Sequence, residues 1–570
     1  MSQQPGSAPR PDPAATTSMS RRMFLRTASV AAGSAAAVAA AVSPNAEASP
    51  KNSVFAHSVA SGDPLPDRVI LWTRVTPEAR ATPGSGFGSP TTVRWEVSPG
   101  PRFDHIVSAG LFTTSVERDH TVKVDAAGLQ PATRYFYRFT VADGPLAGAT
   151  SPVGRTKTAP ALSSDVDKLR FAVCSCANYE AGHFISYRAI ADRDDLDFVM
   201  HLGDYTYEYE TGGYPGKFGE VVRQTAPVHA TVTVDDYRVR QGKYHQDPDL
   251  ARAHAAHPFI CIWDDHESAD NSYRDGAENH KELTQGSWSA RKRASDKAYF
   301  EWMPVRPNSI DNGEHLYRRF RFGDLAELII PDLRSYRDKQ SYLAVDDPNH
   351  SITGTTQYTW LETSITTSST QWQVIGNEVM MVPLVIPETT DPRVADWLHH
   401  QIGLPADGIT LNNDQWDGYQ AERRKLLHAI DTAGKKSVVL VTGDIHSSWA
   451  SEIPLSAPHY GKDSDGRVVA CEFTPPSITA ASGFDSLALT SALAAPAAAA
   501  MSIAQQAITT VNPWIKDVEL TTHGFGVMTV DKARAQMDWY YVDDVTNPQS
   551  GVRRAFGWYT RAGHPKLLRA

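Results

Sequence analysis

The sequence predicts a large α/β domain preceded by a small all-β domain. Residues 52–158 contain short β-prone runs, such as Val69-Ile70-Leu71-Trp72, with Gly, Pro and Asp turn signals between them. After a stretch rich in Thr, Ser, Pro and Ala, short apolar runs alternate with helical patterns. That alternation is typical of an α/β fold. The length of 570 residues agrees with two or more domains.

The N-terminal domain is expected to be a β-sandwich. Residues 92–97 form a second β-rich run, and residues 129–139 read Leu-x-Pro-x-Thr-x-Tyr-x-Tyr at their start. This order resembles a strand of fibronectin-type sandwiches. We therefore expect a fibronectin-like domain at 49–158, a linker at 159–167 and the α/β domain at 168–570.

Polar residues end six apolar runs of the larger domain. The runs are residues 169–176, 198–204, 259–265, 328–332, 372–377 and 438–444. Strands that end in carboxylates, amides or thiols place these groups along one edge of a sheet, where α/β folds keep their sites. We expect the functional site at that edge.

Composition excludes several classes of protein. Apolar residues make up 41% and charged residues 21%, as in ordinary globular proteins, and four cysteines are too few for a disulfide scaffold. The net charge of −10 argues against a nucleic-acid partner, which requires a basic face. Phosphate substrates remain open, because a metal site or a small positive pocket can bind them in an acidic protein.

The first 48 residues are expected to be a twin-arginine signal peptide. The sequence contains Ser20-Arg21-Arg22-Met23-Phe24-Leu25-Arg26, then an Ala-rich and weakly apolar run, then Ala46-Glu47-Ala48. The small residues at the two ends of the last triplet suit a signal peptidase. A membrane span would require about 20 strongly apolar residues, which this run lacks. We expect a secreted protein that uses the twin-arginine export machinery.

Four motifs, each after an apolar run, carry the candidate chemistry. In chain order they are Cys174-Ser175-Cys176-Ala177-Asn178, Gly203-Asp204-Tyr205-Thr206-Tyr207-Glu208, Trp263-Asp264-Asp265-His266-Glu267 and Gly443-Asp444-Ile445-His446. A carboxylate on a tight Gly turn can bridge two cations, and a Tyr three residues later can reach one of them. Phenolate and thiolate suit Fe³⁺, whereas oxygen ligands suit Ca²⁺, Mg²⁺ or Mn²⁺. The set predicts a two-metal site, which activates water and polarises a phosphoryl group.

The order of these motifs resembles the PhoD family of secreted alkaline phosphatases and phosphodiesterases, in the metallophosphoesterase superfamily. Further matching segments are Ser61-Gly62-Asp63-Pro64, Asp332-Leu333-Arg334-Ser335-Tyr336-Arg337 and Asp414-Gln415-Trp416-Asp417-Gly418-Tyr419. The resemblance extends from about residue 52 to the C-terminus. It implies a layered metallophosphoesterase-type β-sandwich flanked by helices, and the twin-arginine signal fits the family.

The resemblance implies four ligands for the iron. Cys176 corresponds to a thiolate ligand, with Cys174 as the alternative. Asp204 corresponds to the bridging carboxylate, Tyr207 to the phenolate ligand and His446 to the imidazole ligand.

The resemblance also implies residues for a divalent ion and for the substrate. Asp265 and Asp444 correspond to ligands of the divalent ion, and an acid at position 265 favours Ca²⁺. Asn377 lies nearest to the superfamily's middle histidine ligand. His266 corresponds to the histidine that contacts the substrate or protonates the leaving group. Arg334 is the candidate phosphate clamp, since a guanidinium can pair with two phosphate oxygens.

The implied function is hydrolysis of phosphoesters by attack of a metal-bound hydroxide. The alternative is a phosphodiesterase or phospholipase D that acts on phospholipid or teichoic-acid diesters. An Ala-rich segment at 487–507 would matter for that alternative if it contacts a lipid or cell-wall surface. An extracellular binding protein with an inactive phosphatase domain is disfavoured by the intact ligand set. An iron oxygenase is disfavoured by the Gly-Asp-x-x-Tyr and Gly-Asp-x-His pair.

Overall fold

Two large mixed sheets form the centre of the computed structural model, which describes residues 54–306, 315–386 and 391–570. Within these residues the strands are β1 (Val59–Gly62), β2 (Arg68–Arg74), β3 (Thr91–Ser98), β4 (Ser108–Thr114), β5 (Thr121–Ala127), β6 (Arg134–Val141), β7 (Gly154–Lys157), β8 (Lys168–Cys174), β9 (Phe198–Leu202), β10 (Pro258–Ile262), β11 (Arg318–Phe322), β12 (Ala326–Ile330), β13 (Trp372–Asn377), β14 (Val385–Ile386), β15 (Ile409–Thr410), β16 (Val438–Thr442), β17 (Ser448–Pro454), β18 (Val468–Thr474), β19 (Ile515–Glu519), β20 (His523–Asp531), β21 (Arg534–Val542), β22 (Val552–Arg561) and β23 (His564–Arg569).

The strands that precede the four motifs are parallel neighbours in the two sheets. One sheet has the order β23-β22-β21-β20-β8-β9-β10-β1-β2-β5, and the other has the order β11-β12-β13-β16-β18-β17-β19. Strands β8, β9 and β10 run parallel, as do β12, β13 and β16. Their carboxyl ends therefore lie at a common edge of each sheet. The six predicted apolar runs correspond to these six strands.

A shared hydrophobic core lies between the two sheets. It contains Val199 and Ile260 from the first sheet, and Val374 and Val441 from the second. Strands buried on both faces require continuous apolar sequence, which is why these strands were predictable from single runs. The prediction of an α/β fold is confirmed, and the structure shows that it is a mixed α/β fold with several sheets.

The N-terminal region consists of strands and contributes to two sheets. Strands β3, β4, β6 and β7 form a separate sheet in the order β4-β3-β6-β7, while β1, β2 and β5 extend the first large sheet. Strand β1 pairs parallel to β10, with Ser61 opposite Pro258. A separate core joins Leu71 of β2 to Val93 and Tyr137 of the smaller sheet. The fibronectin-like type of this region and the boundaries at 158 and 168 stay predictions.

Helices flank the sheets. They are α1 (Ile185–Ala191), α2 (Val234–His245), α3 (Pro248–Ala256), α4 (Glu282–Gln285), α5 (Trp288–Trp302), α6 (Thr355–Thr367), α7 (Pro392–Ile402), α8 (Gln420–Thr432), α9 (Gly483–Leu487) and α10 (Ala494–Val511), with 3₁₀ turns at Val116–Arg118, Lys217–Gly219, Trp416–Tyr419 and Ser491–Leu493. Helix α2 begins with a capping box between Thr233 and Asp236, which stabilises its N-terminus.

The Ala-rich segment at 487–507 overlaps helix α10, in which only Ala497 and Met501 are buried. Among the described residues, no helix combines the length and apolar character required to cross a membrane. The predicted signal peptide at 1–48 lies outside the described residues.

Candidate metal centre

Three overlapping groups of buried donor residues lie at the carboxyl ends of β8, β9, β10 and β16. In each group, one ligand atom from every residue lies within 4.8 Å of the others; the groups are Cys176–Asp204–His446, Asp204–Asp265–His266 and Asp264–Asp265–Asp444. Asp204 and Asp265 each belong to two groups. The arrangement therefore offers neighbouring cation positions that share carboxylates.

Unusual backbone conformations direct these side chains into the centre. Cys176, Asp204, Asp444 and His446 have φ angles of 61°, 51°, 68° and 55°, in the left-handed region. Such conformations are costly for residues other than glycine and are retained mainly at functional sites. Gly203 supplies the turn before Asp204, because a Cβ at its φ of +92° would lie 2.4 Å from the Cβ of Asp264. The Gly-Asp signal in the sequence thus reflects close packing of two strand ends.

Tyr207 and His446 converge on Asp204. The Tyr207 hydroxyl donates to Asp204 Oδ2 at 2.9 Å and lies 3.2 Å from His446 Nε2. His446 Nδ1 lies 3.0 Å from the carbonyl oxygen of Ala481. Donation to that carbonyl leaves Nε2 as the nitrogen that faces Asp204, which is the usual arrangement of a metal-binding histidine. Burial and the Asp204 carboxylate raise the pKa of Tyr207 well above its ordinary value, so a phenolate here requires a nearby cation.

The second set of carboxylates surrounds a buried arginine. Arg334 donates from Nη2 to Asp444 Oδ1 at 2.8 Å and from Nη1 to Asp414 Oδ2 at 3.0 Å, and its Nε pairs with Asp264. Asp265 lies 3.7 Å from Nη2. The guanidinium therefore faces carboxylates on three sides. Its predicted role as a phosphate clamp stays a prediction.

The donor set fits divalent cations. Asp264 Oδ2 is buried without a hydrogen-bond partner among the described residues. A buried carboxylate oxygen in that position is costly unless a cation or a proton compensates it. Carboxylates in close proximity are the donors that hard divalent ions prefer.

His266 is held next to this group by Glu208. His266 Nδ1 lies 2.8 Å from Glu208 Oε2, and its ring stacks at 4.3 Å from the ring of Tyr207. Burial opposes the charge on the ring, but Asp265, Asp204 and Glu208 raise the pKa of His266 well above its ordinary value. The imidazole is therefore fixed with Nδ1 toward Glu208.

Two further carboxylates of this centre were not predicted from the sequence. Glu208 fixes His266, and Glu267 accepts the backbone N–H groups of Asp204, Tyr205 and Asp264 at 3.2, 2.6 and 2.8 Å. Glu267 thereby connects the second motif to the third by hydrogen bonds. The only sequence signal for Glu208 and Glu267 was their position within those two motifs.

Two other candidates lie at strand ends. The side-chain amide of Asn377 is buried, donates to the carbonyl of Val379 and accepts from Trp416 Nε1 at 3.2 Å. Its role as a ligand stays a prediction. Cys174 lies at the end of β8, where burial raises the pKa of its thiol well above the ordinary value. Among the described residues, the donor group of Asp204 and His446 contains Cys176 and not Cys174.

In protein stripped of metal by a chelator, stability is expected to fall as the pH rises from about 4 to about 7. Burial raises the pKa of Asp264 to about 7, with Arg334 opposing the shift and Asp265 adding to it. The folded state then binds more protons than the unfolded chain between these values, so the stabilisation present at low pH is lost as Asp264 ionises. The melting temperatures of the stripped wild type and of Asp264→Asn, compared from pH 4.5 to 8, measure this effect. The prediction would be contradicted if the difference in melting temperature between the wild type and Asp264→Asn did not change with pH.

Comparisons with known proteins identify the family of this chain. Residues 171–539 match the family described as PhoD-like phosphatase, and residues 38–160 match the PhoD-like phosphatase N-terminal domain. Alkaline phosphatase D of Bacillus subtilis is 35% identical over 438 residues, which are 75% of this chain and 69% of that protein. A solved structure titled "Structure of PhoD" is 30% identical, with a TM-score of 0.76 over 92% of this chain and 93% of that chain. The chain belongs to the PhoD-like phosphatase family and is a hydrolase of phosphoric esters.

Proposed function

We propose that this chain is a secreted phosphatase that uses Fe³⁺ and Ca²⁺ at the strand-end centre. The observation that carries the proposal is the overlap of the three buried donor groups through Asp204 and Asp265. Thiolate, phenolate and imidazole donors suit trivalent iron, whereas carboxylates suit Ca²⁺, with Mn²⁺ or Mg²⁺ as alternatives.

The proposed ligands form two sets according to the metal ion that their donor atoms prefer. The iron ligands are Cys176, Asp204, Tyr207 and His446, and the divalent-ion ligands are Asp204, Asp265, Asn377 and Asp444. Metal ions bound there would supply Lewis acidity toward the phosphoryl oxygens and a hydroxide nucleophile. Asp204 belongs to both sets, because its carboxylate lies in two donor groups.

His266 is the proposed general acid. Glu208 holds its Nδ1–H at 2.8 Å, which leaves Nε2 to donate a proton to the departing ester oxygen. Both side chains are buried, so the imidazole orientation is fixed before the substrate binds. Arg334 is the proposed phosphate clamp.

A second candidate function is hydrolysis of phospholipid or teichoic-acid diesters. The chain has no charged residue between Asp485 and Lys516, and Leu489 and Ile503 are 59% and 70% exposed. This uncharged stretch comes shortly after Ala481 in the sequence, and the carbonyl oxygen of Ala481 contacts His446. An exposed apolar surface favours contact with a lipid or cell-wall substrate.

Sequence features support the remaining parts of the proposal. The twin-arginine pattern within residues 1–48 supports export by the twin-arginine pathway. The two separate family matches support the division into an N-terminal domain at 49–158, a linker at 159–167 and a catalytic domain at 168–570. The Leu-x-Pro-x-Thr-x-Tyr-x-Tyr pattern supports the fibronectin-like type of the first domain.

Initial rates on p-nitrophenyl phosphate and bis-p-nitrophenyl phosphate test the proposed function. The mature protein at alkaline pH with Ca²⁺ is expected to hydrolyse the monoester faster and to lose activity in a chelator. It is also expected to contain iron and to show visible absorption that Tyr207→Phe changes. Faster diester hydrolysis would select the second candidate function. Full activity after metal removal would refute the metal centre.

A further inference from the structure

The segment from residue 209 to residue 231, here called the rim segment, places a tyrosine against the metal centre. The ring centroid of Tyr214 lies 5.6 Å from that of Tyr207, 6.1 Å from that of His266 and 6.4 Å from that of His446. The Tyr214 hydroxyl oxygen lies 3.3 Å from His446 Nδ1. Tyr214 lies outside the four sequence motifs, so no motif indicates it.

Tyr214 forms part of the boundary between the centre and solvent. Tyr207, His266 and His446 are 2%, 3% and 7% exposed, whereas Tyr214 is half-buried. Its ring is inclined by only 20° to that of His266. The ring of Tyr214 is therefore the more exposed neighbour of the buried His266 ring.

The rim segment is anchored at several points. The buried guanidinium of Arg240 donates to the carbonyl oxygens of Ala226 and Tyr209, both at 2.9 Å. Glu180 accepts the N–H of Gly212 at 2.9 Å. These bonds hold the segment to the body of the domain before any substrate binds.

The backbone of Tyr214 is held in the same way. The side-chain amide of Asn178 donates to the Tyr214 carbonyl oxygen at 2.7 Å. Asn178 belongs to the first motif and is buried, so it ties Tyr214 to the strand end that carries Cys176. Such an arrangement holds a ring in position for a ligand contact at little further cost in entropy.

We propose that Tyr214 determines specificity by packing against the leaving group of the phosphoester. This inference rests on the proposed function, in which His266 protonates that leaving group. The ring of Tyr214 lies 6.1 Å from that of His266 and is inclined to it by 20°. In this proposal the leaving group that accepts the proton of His266 packs on the face of Tyr214. Aromatic faces favour planar rings and other flat apolar groups. The preferred substrates are therefore phosphoesters whose ester oxygen is attached directly to a ring.

Phenyl phosphate and ethyl phosphate test this inference, because they differ in the leaving group alone. Tyr214→Leu is expected to lower kcat/KM for phenyl phosphate by about 10-fold and to leave that for ethyl phosphate within about 2-fold. Tyr214→Phe keeps the ring and is expected to retain the wild-type ratio. Tyr209→Phe is a matched control, since it removes a hydroxyl that donates to Asp270 at 2.7 Å in the same segment. Iron content is measured in every variant.

The outcomes separate this inference from the proposed function. Equal losses on both substrates in Tyr214→Leu, or no loss on either, would refute the contact with the leaving group while the phosphatase activity stands. If the wild type prefers diesters, diphenyl and diethyl phosphate replace the two monoesters with the same expected ratios. A wild type that hydrolyses none of the four would refute the proposed function and the inference together.

Discussion

Asp204→Asn is expected to abolish iron binding and to lower kcat/KM toward p-nitrophenyl phosphate by roughly 10³-fold or more. Asp204 is the residue on which Tyr207 and His266 converge: it accepts from the Tyr207 hydroxyl at 2.9 Å and from the backbone N–H of His266 at 3.4 Å. An amide keeps one acceptor oxygen but loses the charge that neighbouring cations require. Activity and metal content, measured on the same preparation, check the result.

Asparagine is the informative replacement because the backbone at position 204 has a φ of 51°. Asparagine adopts this left-handed conformation more readily than most residues, so the variant is expected to fold. Asp275→Asn is the matched control, since Asp275 lies on the surface beside Arg274. The control is expected to keep wild-type metal content and rate. An Asp204→Asn protein with normal iron and near-normal activity would exclude Asp204 as the bridging ligand.

The strands of the two sheets were predictable because burial on both faces leaves a local signature. Strand β16 is buried along its whole length and reads Val-Val-Leu-Val-Thr. The pairing of β1 with β10 was not predictable, since Ser61 meets Pro258 through contacts remote in sequence. Local runs specify which segments become strands, whereas the order of strands in a sheet depends on such contacts.

The same distinction between local sequence signals and remote contacts applies to the metal centre. The ligand candidates Asp204 and Asp444 follow Gly at a strand end, which is a local signal. Glu267 acts on residues of the second motif that lie 62 and 63 positions away, and Tyr214 lies 232 positions from His446. Residues that position or cover a site through distant contacts carry no spacing rule, so only the folded chain identifies them.

Arg334→Met is expected to destabilise the chelated protein by about 3–5 kcal/mol, because it removes the cation from a buried group of carboxylates. Arg334 is 1% exposed and pairs with Asp264, Asp414 and Asp444. Burial opposes its charge, but Asp264, Asp265 and Asp414 raise its pKa above the ordinary value. Urea unfolding with a chelator measures the loss, and Arg274→Met, at an exposed ion pair, is the control with little expected effect.

Bound metal is expected to reduce that loss, because Asp264 and Asp444 then face a cation even without the guanidinium. The destabilisation of Arg334→Met in metal-loaded protein should accordingly be smaller than in chelated protein. Equal destabilisation with and without metal would show that cations do not neutralise these carboxylates.

Inhibition by inorganic phosphate tests the proposed clamp separately. If Arg334 clamps phosphate, Arg334→Met is inhibited more weakly than the wild type while its metal content is unchanged. If Arg334 only positions the carboxylates, the variant loses metal binding instead. The three carboxylates contact all three nitrogens, so a phosphate held by Arg334 would use the second N–H groups of Nη1 and Nη2.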